Sequence, residues 1–273
     1  MTDAAALPPF EPVADEAPRV DLERLPFTLD RGLGAAARIG LIVLATDGTV
    51  EQEFRQVLAS QPDVALFQSR IWNDAAITPE SLKAMEARIP DCAKVILPGS
   101  DLDCLAYGCT SASMVIGPER VRDLLLAARR PKTATNPALA ALAAFRALGL
   151  RRIALLTPYL PSVNRMLRGF FQSRGVQVPV MGSFNEGDDP TVARIDTASI
   201  RAAAERLVAE PDVDGLFVSC TSVRLVESVA EIETAVGKPV TSSNHALAWH
   251  ALRLSGVEAA PPRLGALFRC GLG

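Results

Sequence analysis

The sequence predicts an α/β protein made of two parallel-sheet lobes, and three observations carry that reading. Apolar, β-branched runs alternate with stretches of helical spacing along the body of the chain. The order of elements restarts near residue 136. Each half also brings a cysteine, within a Cys-Thr-Ser tripeptide, to the end of an apolar run. Cys109 follows the strand at Ile39 by 70 residues, and Cys220 follows the strand at Ile153 by 67. A repeated α/β unit of this kind predicts lobes related by a pseudo-two-fold axis, with the two Cys-Thr-Ser loops facing one cleft.

The elements follow in order. Residues 1–35 contain Pro8, Pro9, Pro12, Pro18 and Pro26 among scattered acids. They read as an irregular arm packed through Phe10 or Phe27, with an unfolded tail as the alternative. Arg38 to Leu44 is a buried strand, and Thr46-Asp47-Gly48-Thr49 a turn. Helical spacing of Val50, Phe54, Val57 and Leu58 comes next. Val64 to Phe67 is a second strand, and Thr78 to Ile89 a helix with Thr78 as cap and Pro79 at its first position. Lys94 to Leu97 reads as a weaker strand. Asp103 to Tyr107 leads to Cys109, and a helix runs from Gly117 to about Arg129. In the second half, helices are expected over 136–148, 164–173, 200–208, 226–236 and 244–254. Strands are expected over 152–156, 176–180, 215–218 and 238–240. The expected division is an arm at 1–35, a first lobe of 36–130 plus 243–273, and a second lobe of 131–242.

At 273 residues the chain can hold one large or two modest cores. A net charge of −3 without a basic block, and 5% aromatic residues, argue against nucleic-acid binding. No apolar run approaches the ~20 residues needed to span a bilayer. The acidic, proline-spaced start is unlike a secretory signal. Five cysteines, an odd and sparse set, suit reduced thiols in a cytoplasm.

A cysteine at the carboxyl end of a strand, facing amides at a helix start, is expected to have a lowered pKa and to lie near a bound carboxylate. Two such thiols across a cleft suit chemistry in which one attacks or deprotonates and the other supplies a proton. Cys92, Cys104 and Cys270 read instead as small buried hydrophobes. Metal binding has little support, because His245 and His250 lie five apart and no close cysteine pair has ligand spacing. There is no Gly-x-Ser-x-Gly elbow, dinucleotide fingerprint or Walker sequence. Thr46, Asp47, Thr49, Thr110, Ser111, Thr221 and Ser222 occupy strand-to-helix turns, where they can cap helices or hold carboxylate oxygens. Tyr159 directly follows a strand and can donate to a substrate.

Gly40-Leu41-Ile42-Val43, Tyr107-Gly108-Cys109-Thr110-Ser111, Leu156-Thr157-Pro158-Tyr159, Ser219-Cys220-Thr221 and Ser243-Asn244-His245-Ala246 resemble the aspartate/glutamate racemase superfamily. The branch is that of maleate isomerases and arylmalonate decarboxylases. The flavour of Leu44-Ala45-Thr46-Asp47 and Glu51-x-Glu53 is similar to EutA-type ectoine-utilisation proteins. The resemblance covers about residues 36 to 260. It implies two Rossmann-like (flavodoxin-like) lobes, an active site between them and no cofactor. It makes Cys109 the nucleophile and Cys220 the proton donor or acceptor. It has Tyr159 orient a carboxylate and an asparagine of the second half assist, for which Asn185 is nearest by position. Decarboxylases of this branch keep only the second cysteine.

One departure bears on the substrate. Where maleate isomerases carry Ser-Asn, this chain has Thr46-Asp47, and an ionised Asp47 repels a second carboxylate. A zwitterionic or amidine-like compound, such as an ectoine derivative, fits better. The expected function is a cytoplasmic, cofactor-independent racemase, epimerase or cis-trans isomerase of a small carboxylic acid, working as a homo-oligomer. A decarboxylase using Cys220, or a non-catalytic metabolite sensor, are the alternatives.

Overall fold

A computed structural model describes residues 19–74 and 77–272; Pro8, Pro9, Phe10, Pro12 and Pro18 lie outside these residues. The chain divides into an N-terminal unit ending at Gly32 and a main unit from Leu33 onward. In the first, residues 19–32 form no helix or strand, and Phe27 is exposed.

The main unit contains two four-stranded, all-parallel sheets. In the first, β1 (Ala37–Leu44) pairs with β2 (Val64–Ile71) and β3 (Cys104–Gly108), and β3 pairs with β4 (Thr133–Thr135), giving the order β2-β1-β3-β4. In the second, β5 (Arg152–Thr157), β6 (Gln177–Ser183), β7 (Gly215–Val218) and β8 (Val240–Ser242) take the corresponding order β6-β5-β7-β8. The repeat expected from the cysteine spacing is thus a repeat of topology. β1 is buried on both faces, which is why its sequence is continuously apolar rather than alternating. Ile39, Leu41 and Val43 face one core, and Ile42 and Leu44 the other.

Helices in chain order are α1 (Val50–Leu58), α2 (Pro79–Ala84), α3 (Ile89–Lys94), α4 (Thr110–Ile116), α5 (Pro118–Arg129), α6 (Pro137–Leu148), α7 (Pro161–Ser173), α8 (Asp189–Val192), α9 (Thr197–Val208), α10 (Val229–Val236) and α11 (Ser243–Leu254). Two of them join the halves. α6 is capped by Asn136, whose side chain accepts from the Leu139 amide at 3.2 Å, and it ends at Gly149 with φ +71°. Ala140 and Ala144 of α6 enter the core beside the first sheet, while Ala138, Ala141 and Phe145 enter the core of the second. α11 follows the last strand of the second sheet, yet Ala246, Leu247, Trp249 and Leu252 pack into the core of the first.

Several expected elements differ. Lys94 to Leu97 is no strand: α3 runs to Lys94, and Leu97 has φ +47°, which breaks an extended run. The helix expected over 78–89 is split into α2, a 3₁₀ turn at Met85–Arg88, and α3, where Pro90 offers no N–H to a continuous helix. Its start is as expected, with Thr78 and Ser81 capping each other's amides. The three-residue β4 is too short and polar to show in a periodicity. Val226–Ser228 is 3₁₀ rather than α-helix. No helix among the described residues is long and apolar enough to cross a membrane.

Candidate active site

Cys109 leaves β3 in an extended conformation (φ −147°, ψ 118°) and stands immediately before α4. Its carbonyl accepts from Ser113 Oγ at 2.6 Å, and its Sγ lies 3.8 Å from Ser111 Oγ. Cys220 stands two residues beyond β7 but is not followed by a helix; a turn at Thr221 and Ser222 takes that place. Its φ is +153°, a backbone conformation that side chains disfavour and that recurs at functional sites. The Ser222 amide donates to Cys220 Sγ at 3.4 Å. The two loops, alike in sequence, therefore present their thiols on different backbones.

Ser243, the first residue of α11, ties the loops together. Its Oγ accepts from Thr110 Oγ1 at 2.7 Å and from the Cys220 amide at 3.1 Å. Thr221 Oγ1 lies 3.4 Å from the Gly108 carbonyl. Cys109 and Cys220, each 4% exposed, consequently line a single pocket. Thr110, Ser111, Thr221, Tyr159, Asn73 and Asp189 supply most of its polar wall, with Asp74 and Ser81 completing it, and Leu44, Ile77, Leu82 and Met85 form an apolar one. The Tyr159 hydroxyl is close enough to Cys220 to favour its thiolate. The Tyr159 carbonyl is fixed by Asn164 Nδ2 at 2.7 Å and Ser183 Oγ at 2.6 Å.

The expected lowering of the thiol pKa is not what this environment produces. Burial pushes both Cys109 and Cys220 up to about 12. The Ala112 amide and Ser111 hydroxyl at Cys109, and Tyr159 and the Ser222 amide at Cys220, oppose the rise without cancelling it, and the charge of Asp189 adds to it at both. Burial also raises Tyr159 well above the usual phenol range. Behind the pocket, burial raises Asp47 to about 6 against the amides of Val50 and Thr49, and raises Glu53 to about 7. Glu53 nevertheless accepts from the amides of Leu225 (2.5 Å) and Val226 (2.7 Å) and from Asn244 Nδ2 (2.7 Å).

Of the residues expected at the site, Cys109, Cys220, Thr110, Ser111, Tyr159 and Thr221 share the cavity. Thr46, Asp47 and Ser222 lie behind its wall instead. Asp47 Oδ1 accepts from the amides of Thr49 (2.7 Å) and Val50 (3.0 Å), so it caps α1. Thr46 and Ser222 donate to Asp189. Asn185 is a correction: it is exposed, has φ +56°, and lines a different depression with Arg165 and Arg168. His245 and His250 are each held down to about 4 by burial. His245 bonds Thr241 and the Leu264 carbonyl, and His250 bonds Thr135, so their ring nitrogens serve packing. Asp189, Asn73 and Ser243 were not foreseen as site residues. Asp189 follows Asp188, which caps α8 through the Thr191 amide at 3.0 Å, and the local sequence shows only that cap.

A family model described as arylmalonate decarboxylase matches residues 39–268, which span both sheets and both cysteine loops. The chain belongs to the arylmalonate decarboxylase family. Within the family it is similar to arylmalonate decarboxylase of Bordetella bronchiseptica, 30% identical over 84% of this chain and 95% of that protein. It is also similar to maleate isomerase of Nocardia farcinica, 31% identical over 85% of this chain and 95% of that protein. A solved structure of Nocardia farcinica maleate cis-trans isomerase with a covalently bound succinylcysteine intermediate superposes with a TM-score of 0.78. It is 27% identical and covers 85% of this chain and 98% of that one. The branch inferred from the Cys-Thr loops and the Thr-Pro-Tyr turn is therefore the branch found.

Proposed function

We propose that the protein is a cofactor-independent isomerase of a small carboxylic acid, with Cys109 and Cys220 as the catalytic pair. The observation that carries this is the meeting of two buried thiols, one from each half of the repeat, in one cavity. Hydroxyls of Ser111 and Thr221 line the same space and suit a substrate carboxylate. For a cis-trans isomerisation, the Cys109 thiolate adds to one carbon of the double bond while Cys220 gives its proton to the other. Rotation about the resulting single bond and the reverse elimination return both sulfurs to their starting states. For a racemisation, one sulfur removes the α-proton and the other protonates the opposite face. Either course requires one thiol to ionise, which burial opposes; the Ala112 amide and Ser111 hydroxyl at Cys109, and the Tyr159 hydroxyl and Ser222 amide at Cys220, are the groups that favour it.

The succinylcysteine intermediate of the Nocardia farcinica relative supports covalent addition in this family. A thiol on each side of the pocket favours isomerisation over a one-thiol decarboxylation. An ectoine-derived substrate and a EutA-type assignment draw no support from the relatives found. The test is proton NMR in D₂O with maleate, amino acids and arylmalonates, run on the wild type, Cys109→Ala and Cys220→Ala. The expected result is a new isomer or deuterium at one carbon, lost at least 10³-fold in both variants. Carbon dioxide release that survives in Cys109→Ala but not in Cys220→Ala would make the protein a decarboxylase.

A further inference from the structure

The cavity that holds the two thiols contains a buried acid that no step above uses. Asp189 is 8% exposed and lines the pocket between the cysteine loops. Its Oδ2 accepts from Thr46 Oγ1 at 2.8 Å and its Oδ1 from Ser222 Oγ at 3.3 Å. Asn73 Nδ2 donates to Thr46 Oγ1 at 2.9 Å, which leaves the Thr46 proton free for Asp189. A carboxylate has about four acceptor positions, and these hydroxyls fill two. The other residues of the pocket wall bring no compensating charge: among the described residues, no Lys, Arg or His lines it. Asp47, buried behind it, carries a second carboxyl close enough to act on the same thiols.

We propose that Asp189 is the specificity-determining residue of this pocket and selects substrates that carry a protonated nitrogen as well as a carboxylate. The proposal rests on the reading of this cavity as the substrate site. The Ser111 and Thr221 hydroxyls at the cysteine loops receive the carboxylate, and the two open positions on Asp189 receive N–H donors. A dicarboxylate would place like charges together in a confined, low-dielectric space with no cation to offset them. A zwitterion brings its own counter-charge.

The probes are maleate and (Z)-4-aminobut-2-enoate, which share one carboxylate and a cis four-carbon chain and differ in the charge at the far end. Binding is measured by calorimetry or ligand NMR with the whole chain. The wild type is expected to bind the amino acid at least tenfold more tightly than maleate. Asp189→Asn, nearly isosteric, is expected to remove or reverse that preference. Preference of the wild type for maleate, failure of the amino compound to bind at millimolar concentration, or an unchanged ratio in Asp189→Asn overturns the proposal. The wild-type comparison needs no variant, so a misfolded Asp189→Asn leaves the proposal testable; Asp189→Ser is the second substitution. Because the readout is binding, it separates from the thiol chemistry: discrimination with no isomer or exchange in D₂O fails the isomerase reading and not this one, and the converse result does the opposite.

Discussion

Glu53 shows what one buried side chain can do to this molecule. It belongs to α1 of the first half, and both of its carboxylate oxygens serve the second. Two backbone amides and the Asn244 side chain hold it. These donors favour the carboxylate, but burial outweighs them and raises its pKa from 4.5 to about 7. The native state therefore holds the Glu53 proton more tightly than the unfolded chain. Stability from this source is fully present below about pH 4 and is lost as pH rises through about 7. The loss is on the order of 3 kcal/mol. Thermal midpoints measured from pH 4 to pH 8 should fall more steeply in the wild type than in Glu53→Gln, which keeps an acceptor and cannot ionise. Parallel curves for the two proteins would show that the proton is not held at Glu53.

At the scale of elements, the start of α11 is the joint of the site. Ser242 caps the helix by accepting from the His245 amide at 3.2 Å, and Ser243 beside it bonds both cysteine loops. The two serines separate helix stability from loop positioning. Ser242→Ala removes a cap at a cost of about 1 kcal/mol and should leave turnover within a few-fold of wild type. Ser243→Ala leaves the buried Cys220 amide without its acceptor, at about 1–3 kcal/mol, and should lower turnover at least tenfold by releasing Thr110 and the Cys220 loop. Stability and turnover measured on both variants check this. Equal losses of turnover would deny Ser243 a positioning role. None of this was legible beforehand. Ser243-Asn244-His245-Ala246 marked the family, but its task depends on a helix of the second half reaching back to loops 23 and 133 residues away.

For the whole molecule, the two sheets repeat one topology while their cores are laced together. α6 contributes alanines to both cores, α11 packs across to the first sheet, and Thr49, Glu53 and Thr221 bond between the halves. Contacts do not divide the main unit at the repeat boundary. Calorimetry should therefore show one unfolding transition for residues 33–272, with equal calorimetric and van't Hoff enthalpies. Two resolved transitions would mean that the halves fold separately.

The sequence by itself determined the parallel α/β class, the repeat, and the arrival of two cysteines at strand ends. Those features are written in local periods and spacings, which follow from backbone geometry and need no partner to be read. It also determined the starts of α2 and α6, where Thr78 and Asn136 cap their own chains. The tertiary structure alone decided which side chains share the cavity. Asp47 turned toward the amides of its own helix, Asn185 was left outside, and Asp189 moved in from behind an ordinary cap. It also decided that both thiols stand high rather than low, because the energy of a charge depends on how completely the assembled lobes exclude water around it.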